Sequence, residues 1–389
     1  MNANNLDFSE IAPYDDCQFE GAINKMVLDP GFEHAIRWVM PNVDYPDFIA
    51  RLKSCHTKAD FQERMMQNFL NGLEKQTTAG ISASGIEKIS HDKSYTFITN
   101  HRDIVLDASF LNLVFLRNGV KTSEVAIGNN LLIYEWITHL VKLNGSFIVK
   151  RNLPTLQALD AAKELSAYIH HAILNKNASI WIAQRQGRAK DSSDQTQESV
   201  LKMLSLAGEG SLAQNLAEIN IFPTAISYEF DPNDYLKARE YLLHHRDPEF
   251  KKSQRDDLFS METGLMQYKG RVHFSFSNCI TPFIESISPS MDRLQTISRI
   301  CHQINYCIHS RYKIYPINYV AYDKAFDSDM YRDRYTDEEL AKVVDYIEGQ
   351  LDKVDIPDVT SLERNFMRSY MYMMYANPLR NKLLAAGSC

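Results

Sequence analysis

Hydrophobic and polar residues follow two different periods along the chain, and the changes of period divide it into three parts. Up to about residue 90 the apolar residues, such as Phe61, Met65 and Leu73, recur at helical spacing. Short apolar runs then alternate with amphipathic segments, until the helical spacing returns near residue 286. We therefore predict a helical N-terminal region, an α/β domain and a helical C-terminal region, over residues 1–90, 91–285 and 286–389.

The middle region has the pattern of a parallel sheet. Strands are predicted at residues 95–99, 124–127, 146–149, 178–183, 219–228 and 272–277, with a polar, partly helical excursion over 229–270. Helices are predicted between the strands at 104–116, 131–142, 156–173 and 197–216, and in the outer regions at 32–40, 45–52, 59–76, 291–310, 337–351 and 361–376. Strand and helix in alternation are typical of a parallel sheet with right-handed crossovers. The predicted fold class is α/β, a central mostly parallel sheet flanked by helices, with helical additions at both ends.

Composition narrows the class of protein. Hydrophobic residues make up 44% of the 389 and charged residues 23%, values ordinary for a folded chain. The net charge of -7 speaks against a broad nucleic-acid-binding surface. The cysteines form no C-x-x-C pair and show no metal-ligand spacing with histidine; they are Cys17, Cys55, Cys279, Cys301, Cys307 and Cys389. We therefore expect reduced thiols, no metal and no nucleic-acid partner.

The chain shows no segment that predicts a membrane crossing. Its first residues are polar and acidic, unlike the basic start and apolar middle of a signal peptide. The longest apolar stretch, residues 131–143, is interrupted by Glu135, His139 and Lys142 and falls short of the roughly 20 apolar residues that span a bilayer. We expect a cytoplasmic protein that is soluble or lies on the membrane surface.

The strand at 95–99 leads directly to a candidate catalytic base. In an open α/β sheet, ligands bind beyond the carboxyl ends of the strands, where Asn100, His101 and Arg102 follow this strand. A histidine followed closely by Asp103 and Asp107 is a candidate general base whose ring is held by a carboxylate. The alternative is that Asn100 or Asp103 caps the following helix and His101 is an ordinary polar loop residue.

Polar groups follow three other strands of the same predicted sheet. Lys150 and Arg151 come after the strand at 146–149, and residues 184–191 come after the strand at 178–183. Two cationic positions at two strand ends suit a phosphate or another anion, and Gly187 permits a sharp turn or a close approach to a ligand. The alternatives are a charged helix start at residue 150 and a solvated loop at 184–191. Tyr228, at the end of the strand at 219–228, is expected to serve packing.

In this order the segments resemble the glycerol-phosphate acyltransferase superfamily. That family carries a histidine with an aspartate five positions later, then G-x-x-F-I-x-R, E-G-x-R and P-x-x-I-x-Y blocks. This chain has NHRDIVLD at 100–107, GSFIVKR at 145–151, RQGRAK at 185–190 and FPTAISYE at 222–229. The resemblance covers residues 95–230, less than half of the chain.

The resemblance implies transfer of a fatty acyl chain from coenzyme A or acyl carrier protein to a hydroxyl, with no further cofactor. Carried over residue by residue, it gives His101 as the base and Asp107 as its partner. Arg151 and Arg188 then hold the acceptor phosphate. Four neighbouring residues complete the set of candidate substrate-binding residues, namely Arg102, Lys150, Gln186 and Gly187.

Two departures from the family pattern bear on the site. The aspartate lies six positions after His101 and Leu106 occupies the usual position, so either Asp107 or Asp103 can be the partner. Gln186 stands where the family has glutamate, and it can hydrogen-bond a hydroxyl but carries no charge.

The function expected from this sequence is acyl transfer to glycerol 3-phosphate or its monoacyl derivative, at the cytoplasmic face of a membrane. A variant is O-acylation of another lipid, such as an acyl amino acid, whose carboxylate would then face the arginines. The alternative from another class is a non-catalytic protein that binds lipid or acyl carrier protein through a degenerate site. Donor, chain length, acceptor and oligomeric state stay open.

Overall fold

A computed structural model describes residues 7–387, so Cys389 and the first six residues of the predicted N-terminal region lie outside the described part. Its centre is a sheet with the strand order β1-β7-β6-β2-β5-β3-β4. The strands are β1 Ile81–Ser84, β2 Thr96–Thr99, β3 Glu124–Gly128, β4 Ser146–Val149, β5 Ile180–Ala183, β6 Ile221–Tyr228 and β7 Val272–Phe276.

Five neighbouring strands, β2 to β6, are parallel to one another. Strand β7 runs antiparallel to β6, and β1 pairs with β7 in parallel at the outer edge. The carboxyl ends of the five parallel strands therefore lie along one edge of the sheet. This arrangement confirms the predicted α/β class with a mostly parallel sheet.

Helices cover both faces of the sheet and extend the chain at both ends. From the N-terminus to the sheet they are α1 Phe19–Val27, α2 Pro30–Val39, α3 Tyr45–Lys53, α4 Lys58–Phe61 and α5 Gln67–Thr77, with the π turn Gln62–Met66 joining the last two. Among the strands lie α6 Leu106–Arg117, α7 Glu135–Leu143, α8 Thr155–Leu174, α9 Glu198–Leu204, α10 Leu212–Glu218, α11 Asp234–Arg246 and α12 Gln254–Met266. After β7 come α13 Thr281–Glu285, α14 Arg293–His309, α15 Pro316–Phe326, α16 Asp337–Leu351 and α17 Ser361–Ala385.

The core consists of two apolar layers, one on each face of the sheet. Neighbouring residues of a strand point to opposite faces, so Phe97 packs on the α6 side while Ile98 packs on the α8 and α14 side. The N-terminal helices bury their own cluster around Phe19 and Phe61, and the C-terminal helices bury another around Met371. The boundaries proposed at residues 90 and 285 stay predictions.

Several elements differ from the sequence prediction. Residues 81–84, expected to be helical or irregular, form edge strand β1, whose apolar Ile81 and Ala83 are only partly buried. Helix α15 was not predicted, and the helix expected over 197–216 is two helices, α9 and α10. Helix α17 continues through Pro378, where the prediction ended at 376, because its last turns carry buried Leu379 and Asn381 against the rest of the protein.

Two further findings concern the whole chain. Across residues 7–387, every helix is too short or too polar to cross a bilayer. Cys17, Cys55, Cys279, Cys301 and Cys307 are free thiols.

Candidate active site

The end of β2 carries a histidine paired with an aspartate. Residues 100–107, which we call the dyad loop, connect β2 to α6. The Nδ1 atom of His101 lies 2.8 Å from Oδ2 of Asp107. The same oxygen accepts hydrogen bonds from the backbone N–H groups of Arg102 at 2.6 Å and Asp103 at 3.1 Å. An ionised carboxylate only accepts, so His101 donates from Nδ1, and Nε2 is the basic nitrogen of the neutral ring.

Asp103, the alternative partner, holds the start of α6 instead. Its Oδ1 accepts hydrogen bonds from the backbone N–H groups of Val105 at 2.9 Å and Leu106 at 2.7 Å. Its Oδ2 accepts one from the Asn233 side chain at 2.8 Å. Burial and the negative charge of Asp107 raise the pKa of Asp103. Leu106, at the family's usual aspartate position, is fully buried in the core, so the six-residue spacing brings Asp107 to His101.

The imidazole of His101 is mostly buried and packs against an aromatic side chain. Its ring packs edge-on against Trp181, with 5.6 Å between ring centroids. The indole of Trp181 is in turn anchored by a hydrogen bond to Thr99 Oγ1 at 3.1 Å. The His101 side chain is 13% exposed, and Nε2 has no hydrogen-bond partner in the described part of the chain. A ligand can therefore approach the basic nitrogen.

Strand β6 closes the other side of the dyad. The side chain of Asn100 both donates to the carbonyl of Ile226 at 2.9 Å and accepts from its N–H at 2.8 Å, so it continues the pairing of the two strands. Tyr228 ends β6, and its buried hydroxyl lies beside the buried Asp107 carboxylate. Burial and the Asp107 charge raise the pKa of Tyr228 well above its usual value, so it remains a phenol.

Arg102 does not face the crevice as a free cation. Its guanidinium forms a two-pronged ion pair with Asp194, at 2.6 Å and 2.5 Å, and both side chains are buried. Burial would lower the pKa of Arg102, but the Asp194 carboxylate outweighs burial and raises it. Two of its donors are directed at Asp194, and the expectation that Arg102 binds substrate stays a prediction.

The two basic residues after β4 have different surroundings. Lys150 forms ion pairs with Glu10 at 2.8 Å and Glu164 at 3.0 Å. The Arg151 side chain instead folds over Gly128, where an added Cβ would lie 2.7 Å from Nε. Gly128 thus permits a close approach. The Arg151 Nε is buried without a hydrogen-bond partner in the described chain, and burial lowers the pKa of Arg151.

The three candidate residues of the loop after β5 differ in their exposure to solvent. Gln186 has an exposed side chain, and its backbone N–H donates to Gln197 Oε1 at 2.7 Å. Gly187 has φ +70°, a left-handed conformation that favours glycine. That turn directs Arg188 inward, where only 8% of the residue is exposed. Its Nη1 is buried, and the guanidinium has no hydrogen bond or ion pair within the described residues.

Positive charge is concentrated around Arg188. Lys190, two residues on, pairs with Glu240 at 2.5 Å, and burial together with Arg188 and Lys252 lowers the pKa of Lys190 to about 7. Lys237 of α11 is fully buried and pairs with Asp231 at 2.5 Å. Burial lowers the pKa of Lys237 in spite of that partner, and Arg188 adds to the effect. Sequence reasoning assigned neither lysine to the site.

Helices α11 and α12, in the excursion between β6 and β7, cover part of this edge. Gly264 of α12 lies directly on Asp103, and an added Cβ would be 2.0 Å from its Oδ2. Glycine at position 264 therefore allows α12 to pack against the dyad loop. Sequence analysis missed Gly264, Asn233 and Asp194, because each meets its partner only through a contact distant along the chain.

The arrangement can perform proton transfer at a ligand held near positive charge. His101 supplies a base with a fixed tautomer, and among residues 7–387 the guanidinium groups of Arg188 and Arg151 form no ion pair, although the Asp257 charge acts on Arg151. Among residues 7–387 there is no group of three or more His, Cys, Asp or Glu suited to hold a metal ion.

The sequence matches no model of a known protein family and no curated protein. Among solved structures, the chain is similar to the 1-acyl-sn-glycerophosphate (LPA) acyltransferase PlsC from Thermotoga maritima. The two are 10% identical, and the match covers 74% of this chain and 93% of that one with a TM-score of 0.36. The likeness is partial and by itself carries no inference about the chemistry of this chain.

Proposed function

We propose that this protein is an acyltransferase that moves a fatty acyl chain from a thioester, acyl-CoA or acyl carrier protein, to a hydroxyl. The observation that carries the proposal is the contact of 2.8 Å between His101 Nδ1 and Asp107 Oδ2 at the end of β2. Blocks that resemble the glycerol-phosphate acyltransferase superfamily follow β2, β4 and β5 or end β6, and all four reach one edge of the sheet.

The reaction needs a base because a free hydroxyl is a poor nucleophile near neutral pH. Nε2 of His101 accepts the acceptor's proton while its oxygen attacks the thioester carbonyl carbon. The new C–O bond forms, the C–S bond breaks, and the thiolate leaves with the proton returned from the imidazolium. Asp107 holds the ring and stabilises its cationic form. No acyl-enzyme is formed in this scheme.

The acceptor is proposed to carry a phosphate that Arg188 and Arg151 bind. Adjacent strands lie about 4.8 Å apart, and the strand order places β5 beside β2 but β4 two positions farther out. Arg188 therefore starts near the dyad, while Arg151 crosses the end of β3 over Gly128 toward it. Glycerol 3-phosphate and its monoacyl derivative have the required hydroxyl and anion.

We further propose that the enzyme works on the cytoplasmic surface of a membrane, where its product belongs. Helix α8 begins just after Arg151 on the same edge of the sheet, and Leu156 in its first turn is 82% exposed. Leu159, one turn later, is also exposed. Apolar side chains beside the crevice favour contact with an interface.

The test offers acyl-CoA and acyl carrier protein donors with glycerol 3-phosphate, a lysophosphatidate in vesicles and an acyl amino acid, and identifies products by mass. His101→Ala should lower turnover by ~10²–10⁴-fold with an unchanged circular dichroism spectrum. His302→Ala, far along α14, is the matched control. A folded His101→Ala protein with normal turnover would overturn the proposal, and wild-type binding of donor or acceptor without any product would favour the non-catalytic alternative.

A further inference from the structure

The segment from Asp191 to Asp194 has an unusual backbone that the C-terminal helix holds in place. Ser192 and Asp194 have φ values of 60° and 48°, in the left-handed region that residues with a Cβ rarely adopt. The Asn381 side chain of α17 donates to the carbonyls of Ser192 and Ser193, both at 3.2 Å. Strained residues persist only where their surroundings impose them, and such sites often serve function.

The strained backbone brings one carboxylate to a fully buried position. Oδ1 and Oδ2 of Asp194 accept both donors of the Arg102 fork, and Oδ2 also accepts the hydroxyl of Tyr312 at 2.6 Å. Nε2 of His309, at the end of α14, lies 2.8 Å from the Asp194 carbonyl oxygen. Burial alone would raise the pKa of Asp194, but Arg102 outweighs it and keeps the group ionised.

Arg102 links this carboxylate to the catalytic dyad. Its side chain is held by Asp194, while its backbone N–H donates at 2.6 Å to Oδ2 of Asp107. That oxygen is the one that accepts the hydrogen bond from His101 Nδ1. A second contact comes from Lys237, whose Nζ is 3.4 Å from the Arg102 carbonyl oxygen. Both the side chain and the main chain of Arg102 are therefore fixed from outside the dyad loop.

We infer that Asp194 is a positioning residue for the dyad, acting through Arg102 on Asp107. The inference rests on the proposed catalytic role of His101 and Asp107. It implies that the C-terminal helices help to hold the dyad in its active geometry. Helix α14 contributes His309, Tyr312 follows it, and α17 holds the Asp194 segment. The active-site geometry thus depends on residues that lie outside the four blocks.

The experiment compares Tyr312→Phe and Asp194→Asn with the wild type. Tyr312→Phe keeps every charge and removes one hydrogen bond to Asp194. Tyr370→Phe is the matched control, because its hydroxyl is buried without a hydrogen-bond partner among the described residues. Small displacements of a catalytic group cost up to about 10²-fold in rate. We expect kcat to fall about 10²-fold in Asp194→Asn and several-fold in Tyr312→Phe, with little change in the KM of either substrate.

A second readout does not require activity. In protein labelled with ¹⁵N-histidine, the Nδ1 proton of His101 is identified as the resonance absent from His101→Ala. We expect that resonance to broaden by faster exchange in Tyr312→Phe and to stay unchanged in Tyr370→Phe. If it and kcat are both unchanged in folded Tyr312→Phe and Asp194→Asn proteins, the inference is wrong. Broadening of the resonance in Tyr312→Phe but not in Tyr370→Phe, together with a wild type that transfers no acyl group, would support the positioning role and overturn the proposed function alone.

Discussion

The two halves of the candidate site differ in how their polar groups are satisfied. In the dyad loop, Oδ2 of Asp107 accepts three hydrogen bonds, and the Arg102 cation is neutralised by Asp194. At the ends of other strands, Nε of Arg151 and Nη1 of Arg188 are buried with no hydrogen-bond partner in the described chain. Folding therefore fixes Oδ2 of Asp107 and the Arg102 side chain by protein contacts, whereas Arg151 and Arg188 have no hydrogen-bonded anion among residues 7–387.

Each half of the site therefore has a different source of specificity. A buried charge without a partner is costly, so the arginines are expected to gain most when an anionic ligand arrives. The dyad loop gains nothing similar from a ligand, because its geometry is already determined by protein contacts. Preorganised chemistry and ligand recognition are thus separable by mutation.

The largest effect on activity is expected from a mutation in the dyad loop. Asp107→Asn removes the carboxylate that orients His101 and should lower kcat by ~10²–10⁴-fold. Asp103→Asn is the matched control on the same loop, because Asp103 caps α6. It should cost only about 1 kcal/mol of stability. Steady-state kinetics and thermal melts of both variants test which aspartate orients His101. If Asp103→Asn lost more activity than Asp107→Asn, Asp103 would be the partner of His101.

A smaller effect on activity is expected from a mutation of Arg188, which has no hydrogen-bond partner in the described chain. Arg188→Met should raise the KM for a phosphate-bearing acceptor about 10- to 100-fold, since a hydrogen bond to a charged group contributes ~1.5–3 kcal/mol. The donor KM and kcat should change little. Arg293→Met, at the exposed start of α14, serves as the control.

The same variant also tests anion binding by Arg188 in an experiment that needs no acyl donor. Glycerol 3-phosphate at about 100 times its wild-type Kd should stabilise the wild type by about 2.7 kcal/mol, and at the same concentration it should stabilise Arg188→Met by only about 0.4 to 1.4 kcal/mol. In the absence of ligand, Arg188→Met should melt no lower than the wild type, because the lost charge has no partner. A markedly less stable variant would show that Arg188 is structural.

The smallest effect concerns pH. The pKa of Lys190 is about 7 in the folded protein, below its ordinary 10.5, because of burial and the neighbouring Arg188 and Lys252. Between these values the unfolded chain binds more protons, so this lysine makes stability rise with pH from about 7 to 10.5. The slope should be small because 35% of the side chain is exposed. Denaturant unfolding across this range should show a shallower rise in Lys190→Met, and identical slopes would refute the shift.

Local patterns were sufficient for most elements. The predicted strand at 146–149 and the predicted helix at 337–351 have the observed bounds of β4 and α16, because each carries a continuous apolar run or a clean amphipathic stripe. Strand β1 was not predicted because its sequence, ISAS, is short and half polar. Helix α15 escaped because apolar and polar residues mix around it, and its burial comes from α16 and α17.

The candidate site was predictable only as a set of residue types at strand ends. Alternation of strand and helix placed His101, Arg151, Arg188 and Tyr228 on one edge of the sheet. It could not show that Arg102 is neutralised by a residue 92 positions away, or that Tyr312 reaches the same carboxylate across 118 positions. Hydrogen bonds at such separations leave no trace in local periodicity.

Sequence patterns were enough to predict the α/β class, the positions of the parallel strands and the residues that follow them, because these depend on the spacing of apolar residues. The three-dimensional structure was needed to show that Asp107 rather than Asp103 contacts His101, and which arginines have partners. The reason is that hydrogen bonds and ion pairs act over about 3 Å. Their partners are chosen by how the loops converge in space, and the separation of two residues along the chain does not specify that convergence.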